Sequence, residues 1–422
     1  MRPTALAGFL LVSAMAAAAT GPFPDALFRY LDGASGQVSW EVGRSAERVH
    51  ELRLRSQVWR DIPWEHRLYL CEPATPGTTD AVLLVIAGDH DPGGELLGLD
   101  LARRLGFPVA ILYGVPVQPL FGEREDGLIA YTFRRYLEEG DPDWPLLFPM
   151  VQSAAAALRA VGAFGEARWG HRPRRFIVSG ASKRGWTTYL LAAALPGQVV
   201  GIVPMVFDAL NIPVQLEHQR AFWGALSPML APYVDRGLFA GEGSPRWQEL
   251  MWLVDPYSYR HRLAMPKLVV LGTNDAYWPV NALSLYWNGL PEPKHVLYVP
   301  NAGHSLAEGD RALGSVIAFA RALAFGESLP RISWEVTPGP TAVELGVQAV
   351  PDPGSARLWI ATSPVRDFRG ARWEDLPLPG DAGRYAAEIP RLGEGWCAFF
   401  AELVFEIGGG RLAVSTPAHV YP

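Results

Sequence analysis

A doubly wound, mostly parallel α/β sheet followed by a small all-β unit is the fold class this sequence predicts, and three observations predict it. Continuous apolar runs of strand length, the signature of strands buried on both faces, recur through the first three quarters of the chain. Helix-like stretches alternate with several of them. After Pro330 that alternation stops, and short strands separated by Pro, Gly and Asp take over.

The chain begins outside that fold. One positive residue, Arg2, precedes an apolar stretch from Ala5 to Ala18, and Ala17-Ala18-Ala19 supplies an A-x-A cleavage pattern. This reads as a secretory signal peptide over residues 1–19, so the protein is expected to be secreted or periplasmic. The stretch is shorter than the ~20 apolar residues that span a bilayer, and no later segment reads as a stable membrane span.

Residues 50–60 and 64–71 alternate apolar and polar residues around Asp61-Ile-Pro63, which predicts a half-exposed antiparallel hairpin. Buried strands are expected at 81–87, 108–113, 175–179, 200–206, 267–271 and 295–299. Helices are expected at about 94–105, 150–163, 183–195, 279–289 and 305–325. An antiparallel start followed by six β-α repeats is the α/β-hydrolase order, here over residues 20–328. The Trp-, Pro- and Tyr-rich stretch at about 209–264 is too long for a simple connection and predicts a helical cap inserted over the carboxyl edge of the sheet. Strands at 332–336, 342–349, 356–361, 384–388 and 396–405 predict a C-terminal β-sandwich over 329–422.

Composition removes several function classes. The 422 residues suggest two or three domains, with 49 % hydrophobic and 19 % charged residues, ample for a core. A net charge of −6 without basic runs argues against nucleic acid and against an anionic membrane surface as partner. Two cysteines, Cys71 and Cys397, exclude a disulfide scaffold and a Cys-based zinc finger; a bond between them and two buried thiols are both compatible with the sequence. No His/Asp/Glu set has a ligand spacing such as H-E-x-x-H, so neither a metal nor another cofactor is expected.

The candidate site starts at Ile177-Val-Ser-Gly-Ala-Ser182-Lys-Arg-Gly-Trp186, which follows a buried strand and opens a helix, the position of a nucleophile elbow. Gly180 is small two residues before Ser182; after it Arg184 stands at +2 and the glycine arrives at Gly185, giving G-x-S-x-x-G. An ordinary N-cap serine is the competing reading, and Ser179, inside the strand, is the nearest rival nucleophile. An acid and a histidine follow in the required order at the ends of later strands: Asp275 in Gly272-Thr-Asn-Asp-Ala-Tyr-Trp278 and His304 in Asn301-Ala-Gly-His-Ser305. Asn274 and Asp208 compete for the acid position, Asp208 chiefly, because it too follows a strand. The backbone N–H of Lys183 and one from Gly88 or Asp89, after the first parallel strand, are the expected oxyanion donors. At least one of Lys183 and Arg184 is expected to face solvent. Tyr277 and Trp278 are candidate pocket walls, whereas Trp186 is read as core.

At these residues the chain resembles the PhoPQ-activated pathogenicity-related protein family, over roughly residues 25–420. The blocks that carry the resemblance are Gly180-Ala-Ser-Lys-Arg-Gly-Trp-Thr-Thr188, Gly272-Thr-Asn-Asp-Ala-Tyr-Trp278, Val299-Pro-Asn-Ala-Gly-His304, Phe207-Asp-Ala-Leu-Asn211 and Asp143-Trp-Pro-Leu-Leu-Phe-Pro-Met150. The resemblance implies an exported α/β-hydrolase-like protein with Ser182, Asp275 and His304 at the triad positions. The elbow alone is similar to that of glucuronoyl esterases, which keeps ester hydrolysis in view. The expectation is a serine hydrolase acting on a small-molecule or peptide ester or amide. A peptidase of prolyl-oligopeptidase style, and a non-catalytic signalling or binding protein that meets a protein partner through its β-sandwich, are the alternatives.

Overall fold

The computed structural model describes residues 23–75, 77–306 and 310–422; the expected signal peptide lies outside the described residues. Helix α1 (Ala26–Ala34) leads into three antiparallel strands, β1 (Ser39–Ala46), β2 (Val49–Trp59) and β3 (Ile62–Cys71). The sequence pattern predicted two of them. Strand β1 is half-exposed or exposed along its whole length, so it has no apolar alternation to read.

Beyond them the fold is the α/β-hydrolase arrangement. Strands β4 (Ala81–Ile86), β5 (Val109–Leu112), β6 (Arg175–Ala181), β7 (Val199–Met205), β8 (Lys267–Gly272) and β9 (Lys294–Val299) run parallel to their neighbours in the order β5-β4-β6-β7-β8-β9, with β3 antiparallel on β5. Their alternate residues feed different cores. Val82, Leu84 and Ile86 join one buried cluster, while Ala81 and Leu83 join another on the opposite face. Two faces to fill is why these strands read as unbroken apolar runs.

Helices cover both faces. Between the strands lie α2 (Gly94–Leu105), α3 (Glu125–Glu139), α4 (Leu147–Arg168) and α5 (Lys183–Ala194). Helix α4 corrects one expectation: at 22 residues it is long and apolar enough to cross a membrane by length and composition. It is instead a core helix, with 89 % of its most apolar window buried inside the protein. Between β7 and β8 come α6 (Ile212–Trp223), α7 (Ala231–Val234) and α8 (Pro245–Val254), the helical insertion over the strand ends. The expected helix at 279–289 is not α-helical. That segment forms two short 3₁₀ turns, Ala282–Leu285 and Trp287–Gly289, because it closes a tight loop against Tyr257.

Helix α9 (Asp310–Phe325) ends at Gly326, whose φ of +75° suits glycine. The remaining strands are β10 (Arg331–Pro338), β11 (Ala342–Val350), β12 (Ser355–Ser363), β13 (Glu374–Pro377), β14 (Gly380–Asp381), β15 (Arg384–Pro390), β16 (Trp396–Ile407), β17 (Gly410–Ser415) and β18 (His419–Tyr421). They build two sheets. One, β10-β11-β15-β14, is separate. The other continues the main sheet, since β17 pairs with β9 through Ser415 and Val296 and is followed by β16, β12 and β13. Val343, Leu345 and Val347 of the first leaf share a core with Phe399, Ala401 and Leu403 of the second, and with Phe319 of α9. Cys71 and Cys397 are buried, unpaired thiols in different clusters.

Candidate active site

The loop after β6 turns abruptly at Ser182, whose φ of 57° and ψ of −125° are rare for a side chain other than glycine. Such a conformation costs about 1–3 kcal/mol. The flanking sequence explains how it is held. The Ser182 N–H donates to the Met205 carbonyl at 2.8 Å, fixing the turn to the end of β7. A Cβ on Gly180 would stand 2.6 Å from the Arg184 carbonyl oxygen, so only glycine lets the helix start back across the strand. Gly185, at +3, lies close under the Gly180 and Met205 carbonyls, which is where the displaced second glycine of the motif is needed. Ser182 occupies the N-cap position of α5, yet its side chain makes no capping hydrogen bond. Ser179 is buried, and its hydroxyl donates to the Val203 carbonyl.

The loops after β8 and β9 meet at the end of the sheet. Gly272 permits this, because a Cβ there would stand 2.4 Å from the Ala302 carbonyl and 2.6 Å from that of Gly303. The Asn274 N–H donates to Ala302, and the Asn301 N–H to the Thr273 hydroxyl. The result brings Asp275 to His304, with Oδ2 2.8 Å from Nδ1. Asp275 Oδ1 accepts from the Tyr277 N–H at 2.9 Å. A carboxylate only accepts, so Nδ1 carries a proton, and in the neutral ring Nε2 carries the lone pair. Nε2 is shielded from solvent and has no hydrogen-bond partner among the described residues. The Tyr277 ring stacks beside the imidazole, with centroids 4.3 Å apart.

Asp208 lies elsewhere in hydrogen-bonding terms. It accepts from the Tyr286 hydroxyl at 2.7 Å and is fully buried, and burial raises its carboxyl to about 8, with the Asp275 charge adding to the rise against the opposing Tyr286 bond. At neutral pH it is therefore mainly uncharged. The folded state holds a proton that the unfolded chain releases near pH 4, so this group's contribution to stability falls as pH rises through 4–8 and levels off above. Asp208→Asn keeps an oxygen for Tyr286 and removes the titration. Denaturant midpoints between pH 5 and 9 should show the variant gaining on the parent as pH rises, most of all above pH 8. Asn274, the other rival, has its side chain elsewhere: Nδ2 donates to the carbonyls of Phe368, Arg369 and Ala371.

Ser182 and His304 line one pocket, together with Lys183, Tyr277, Trp278 and Trp186. Trp186 is both wall and core, since it is buried and its indole N–H donates to the Val254 carbonyl at 2.6 Å. Gly88 and Asp89 are not among the lining residues. Gly88 leaves room for the Arg184 guanidinium, which would stand 2.7 Å from a Cβ there, and the Asp89 carboxylate is bound by Arg124 and Gln118.

The expectation that Lys183 or Arg184 faces solvent is corrected. The Lys183 ammonium is buried between Glu125, at 2.6 Å, and Asp126, at 3.1 Å. Arg184 binds Glu125 through both terminal nitrogens, at 2.9 and 2.7 Å. Burial pushes the Glu125 carboxyl up, but Arg184 and Lys183 together outweigh that and hold it at about 2. Asp126 also accepts from the Tyr277 hydroxyl at 2.9 Å, and it lines the pocket. The sequence reading missed both acids because it placed no helix there. Leu128, Ile129, Phe133 and Tyr136 are buried at helical spacing after an acidic first turn, a readable helix signal.

A further missed feature ties the last strands to the site. The segment before β13 receives the Asn274 bonds, and it exchanges two more with Asn301: Nδ2 to the Trp373 carbonyl at 3.0 Å, and the Trp373 N–H to Oδ1 at 2.8 Å. Arg369 from the same segment stacks on Trp223 of α6 at 4.2 Å. Segment 366–373 thus touches both loops that carry Asp275 and His304, and the cap.

Comparison with known proteins adds the following. The family model described as PhoPQ-activated pathogenicity-related protein matches residues 27–369. Autocrine proliferation repressor protein A of Dictyostelium discoideum is 30 % identical over 443 residues, covering 93 % of this chain and 87 % of that protein. Among solved structures, acetyl xylan esterase 1 from Thermoanaerobacterium sp. JW/SL YS485 is similar at 18 % identity and a TM-score of 0.47, over 68 % of this chain and 90 % of that one. The acetyl xylan esterase from Paenibacillus sp. R4 is similar at 14 % identity and a TM-score of 0.49, over 70 % and 94 %.

Proposed function

This chain belongs to the PhoPQ-activated pathogenicity-related protein family, and we propose that it is an exported serine hydrolase cleaving an ester or amide through Ser182, His304 and Asp275. The observation that carries the reading is the Asp275–His304 pair: Asp275 holds His304 Nδ1 at 2.8 Å beside the pocket that His304 shares with a strained, non-capping Ser182, while Nε2 is left without a hydrogen-bond partner among the described residues, Ser182 included. In this mechanism Nε2 takes the Ser182 hydroxyl proton as Oγ bonds to the substrate carbonyl. The carbonyl oxygen becomes an oxyanion, which the Lys183 N–H receives; that donor belongs to the first turn of α5 and has no intrahelical acceptor. The expected second donor at Gly88 or Asp89 lies outside the residues that line the pocket, so Lys183 is the oxyanion donor this geometry supports. The imidazolium returns the proton to the leaving group, an acyl-enzyme remains, and water reverses the sequence. The N-terminal apolar stretch and the family support export, to the periplasm or beyond it.

A fluorophosphonate probe tests this directly. The parent should label within minutes and Ser182→Ala should not; equal labelling of the two ends the hydrolase reading. A panel of acyl esters, uronate esters and peptide amides then separates esterase from peptidase. The name of the Dictyostelium relative supports a second reading, a secreted signalling protein on the hydrolase scaffold, to which equal labelling would point.

The C-terminal strands acquire a role under this proposal. Asn274→Ala removes the donor that three carbonyls share; Phe368 keeps the Ala371 N–H, and leaving those of Arg369 and Ala371 unpaired costs about 1–3 kcal/mol. We expect a lowered urea midpoint and a roughly tenfold loss of kcat, with little change in KM, because the loop bearing Asp275 loosens while the pocket wall stays.

A further inference from the structure

The pocket beside Ser182 has two chemically different ends. Its polar lining is one connected group: Asp126 is bound by Lys183 at 3.1 Å and by the Tyr277 hydroxyl at 2.9 Å, and Tyr277 stacks on His304. Lys183 and Asp126 are the charged side chains other than His304 in the lining, and they face each other. The remaining wall is mostly apolar, with the Tyr233 hydroxyl and the Trp247 indole N–H, which has no hydrogen-bond partner among the described residues, as polar exceptions. It begins with Trp186 and Phe207, beside the elbow, and continues under the cap with Leu216, Trp247, Leu250 and Met251. Those side chains are buried.

The reaction geometry orients a substrate in such a site. The leaving group must face His304, because that ring returns the proton to it. The other substituent of the carbonyl then points away from His304, and the mostly apolar lining from Trp186 and Phe207 to α6 and α8 is the wall left to receive it. A wall without charged groups strips water from whatever enters and offers a charged group no countercharge, only the unpartnered Trp247 indole N–H.

We propose that the acyl group of the substrate is uncharged and largely apolar, and that α6 and α8 of the cap select it. This rests on the serine-hydrolase reading and deepens it. Each methylene that enters such a wall raises kcat/KM about fourfold.

The test uses the full mature chain and p-nitrophenyl esters of acetate, butyrate and octanoate, with the eight-carbon diacid monoester as the charged counterpart. Octanoate should exceed acetate by roughly 4 × 10³ in kcat/KM if all six added methylenes enter the wall, and the terminal carboxylate should bring it back down at least 100-fold. Met251→Trp, and separately Leu250→Phe, should fill the wall and cut the octanoate-to-acetate ratio at least tenfold. Fluorophosphonate labelling of each variant shows that the site is still assembled. Acetate hydrolysis that depends on Ser182 but is flat or declining with acyl length overturns this inference alone, as does a length preference confined to the alcohol side. If no ester is turned over faster by the parent than by Ser182→Ala, and the probe does not label, the hydrolase reading and this inference fall together.

Discussion

Ser182→Ala should lower kcat/KM for any ester the protein turns over by about 10⁴–10⁶, and His304→Ala should cost nearly as much. The reason lies in how the two groups depend on each other. A neutral serine hydroxyl is a weak nucleophile until a base takes its proton. In this structure the only described groups of the pocket with a buried, unpartnered nitrogen are His304, at Nε2, and Trp247, whose indole nitrogen is a donor and cannot act as a base. The double variant should therefore be scarcely worse than either single one, since each already removes the same step. Additive losses, giving a product near the square of the single effect, would show that Ser182 and His304 act separately and would sink the triad. Stability should move the other way for Ser182. A residue at φ 57° carries strain, so Ser182→Gly should raise the denaturation midpoint while abolishing labelling. Stability gained as activity is lost is the behaviour expected of a strained functional turn.

Much of this site was legible because the fold brings strand ends together. Ser182, Asp275 and His304 each follow an apolar run, and such runs are readable wherever a strand is buried on both faces. What the pattern could not show is which acid meets the imidazole. Asp208 and Asp275 both follow strands, and only the crossing of two loops at Gly272 puts one of them 2.8 Å from His304. Contacts of that kind are invisible to local periodicity. The same holds for Asn274 and Asn301, whose partners lie 94–97 and 72 residues away. The elements that were misread share another property. Strand β1 buries nothing fully, and the turns at 282–289 are apolar without being helical. Helix α3 has a well-spaced buried face and a charged outer face with i,i+4 pairs, a readable pattern to which the sequence expectation assigned no element. Missing α3 also meant missing Glu125 and Asp126, and with them the reason Lys183 and Arg184 turn inward.

Asp275→Asn should cost about 10⁴ in kcat with the fold intact, whereas Asp208→Asn should change kcat by less than about threefold. The contrast follows from donors and acceptors. Asp275 accepts at both oxygens, from the Tyr277 N–H and from His304 Nδ1. An asparagine has one oxygen and one NH₂, so it can serve only one of those donors. If the oxygen stays with Tyr277, the NH₂ faces Nδ1 and demands a lone pair there; the ring proton moves to Nε2, which then cannot take the proton from Ser182. If the amide flips, His304 keeps its tautomer but the Tyr277 N–H meets another donor, and the turn holding Tyr277 against the imidazole is pushed apart. Either way the imidazolium loses the negative charge that stabilises it. Asp208 already accepts from the Tyr286 hydroxyl as a largely neutral acid, and an amide oxygen does the same. Initial rates for the two variants, with histidine ring proton shifts recorded on each, separate the cases. Loss confined to Asp208→Asn, with Asp275→Asn nearly unaffected, would move the acid to the other strand end and leave the bond between Asp275 and His304 a structural contact.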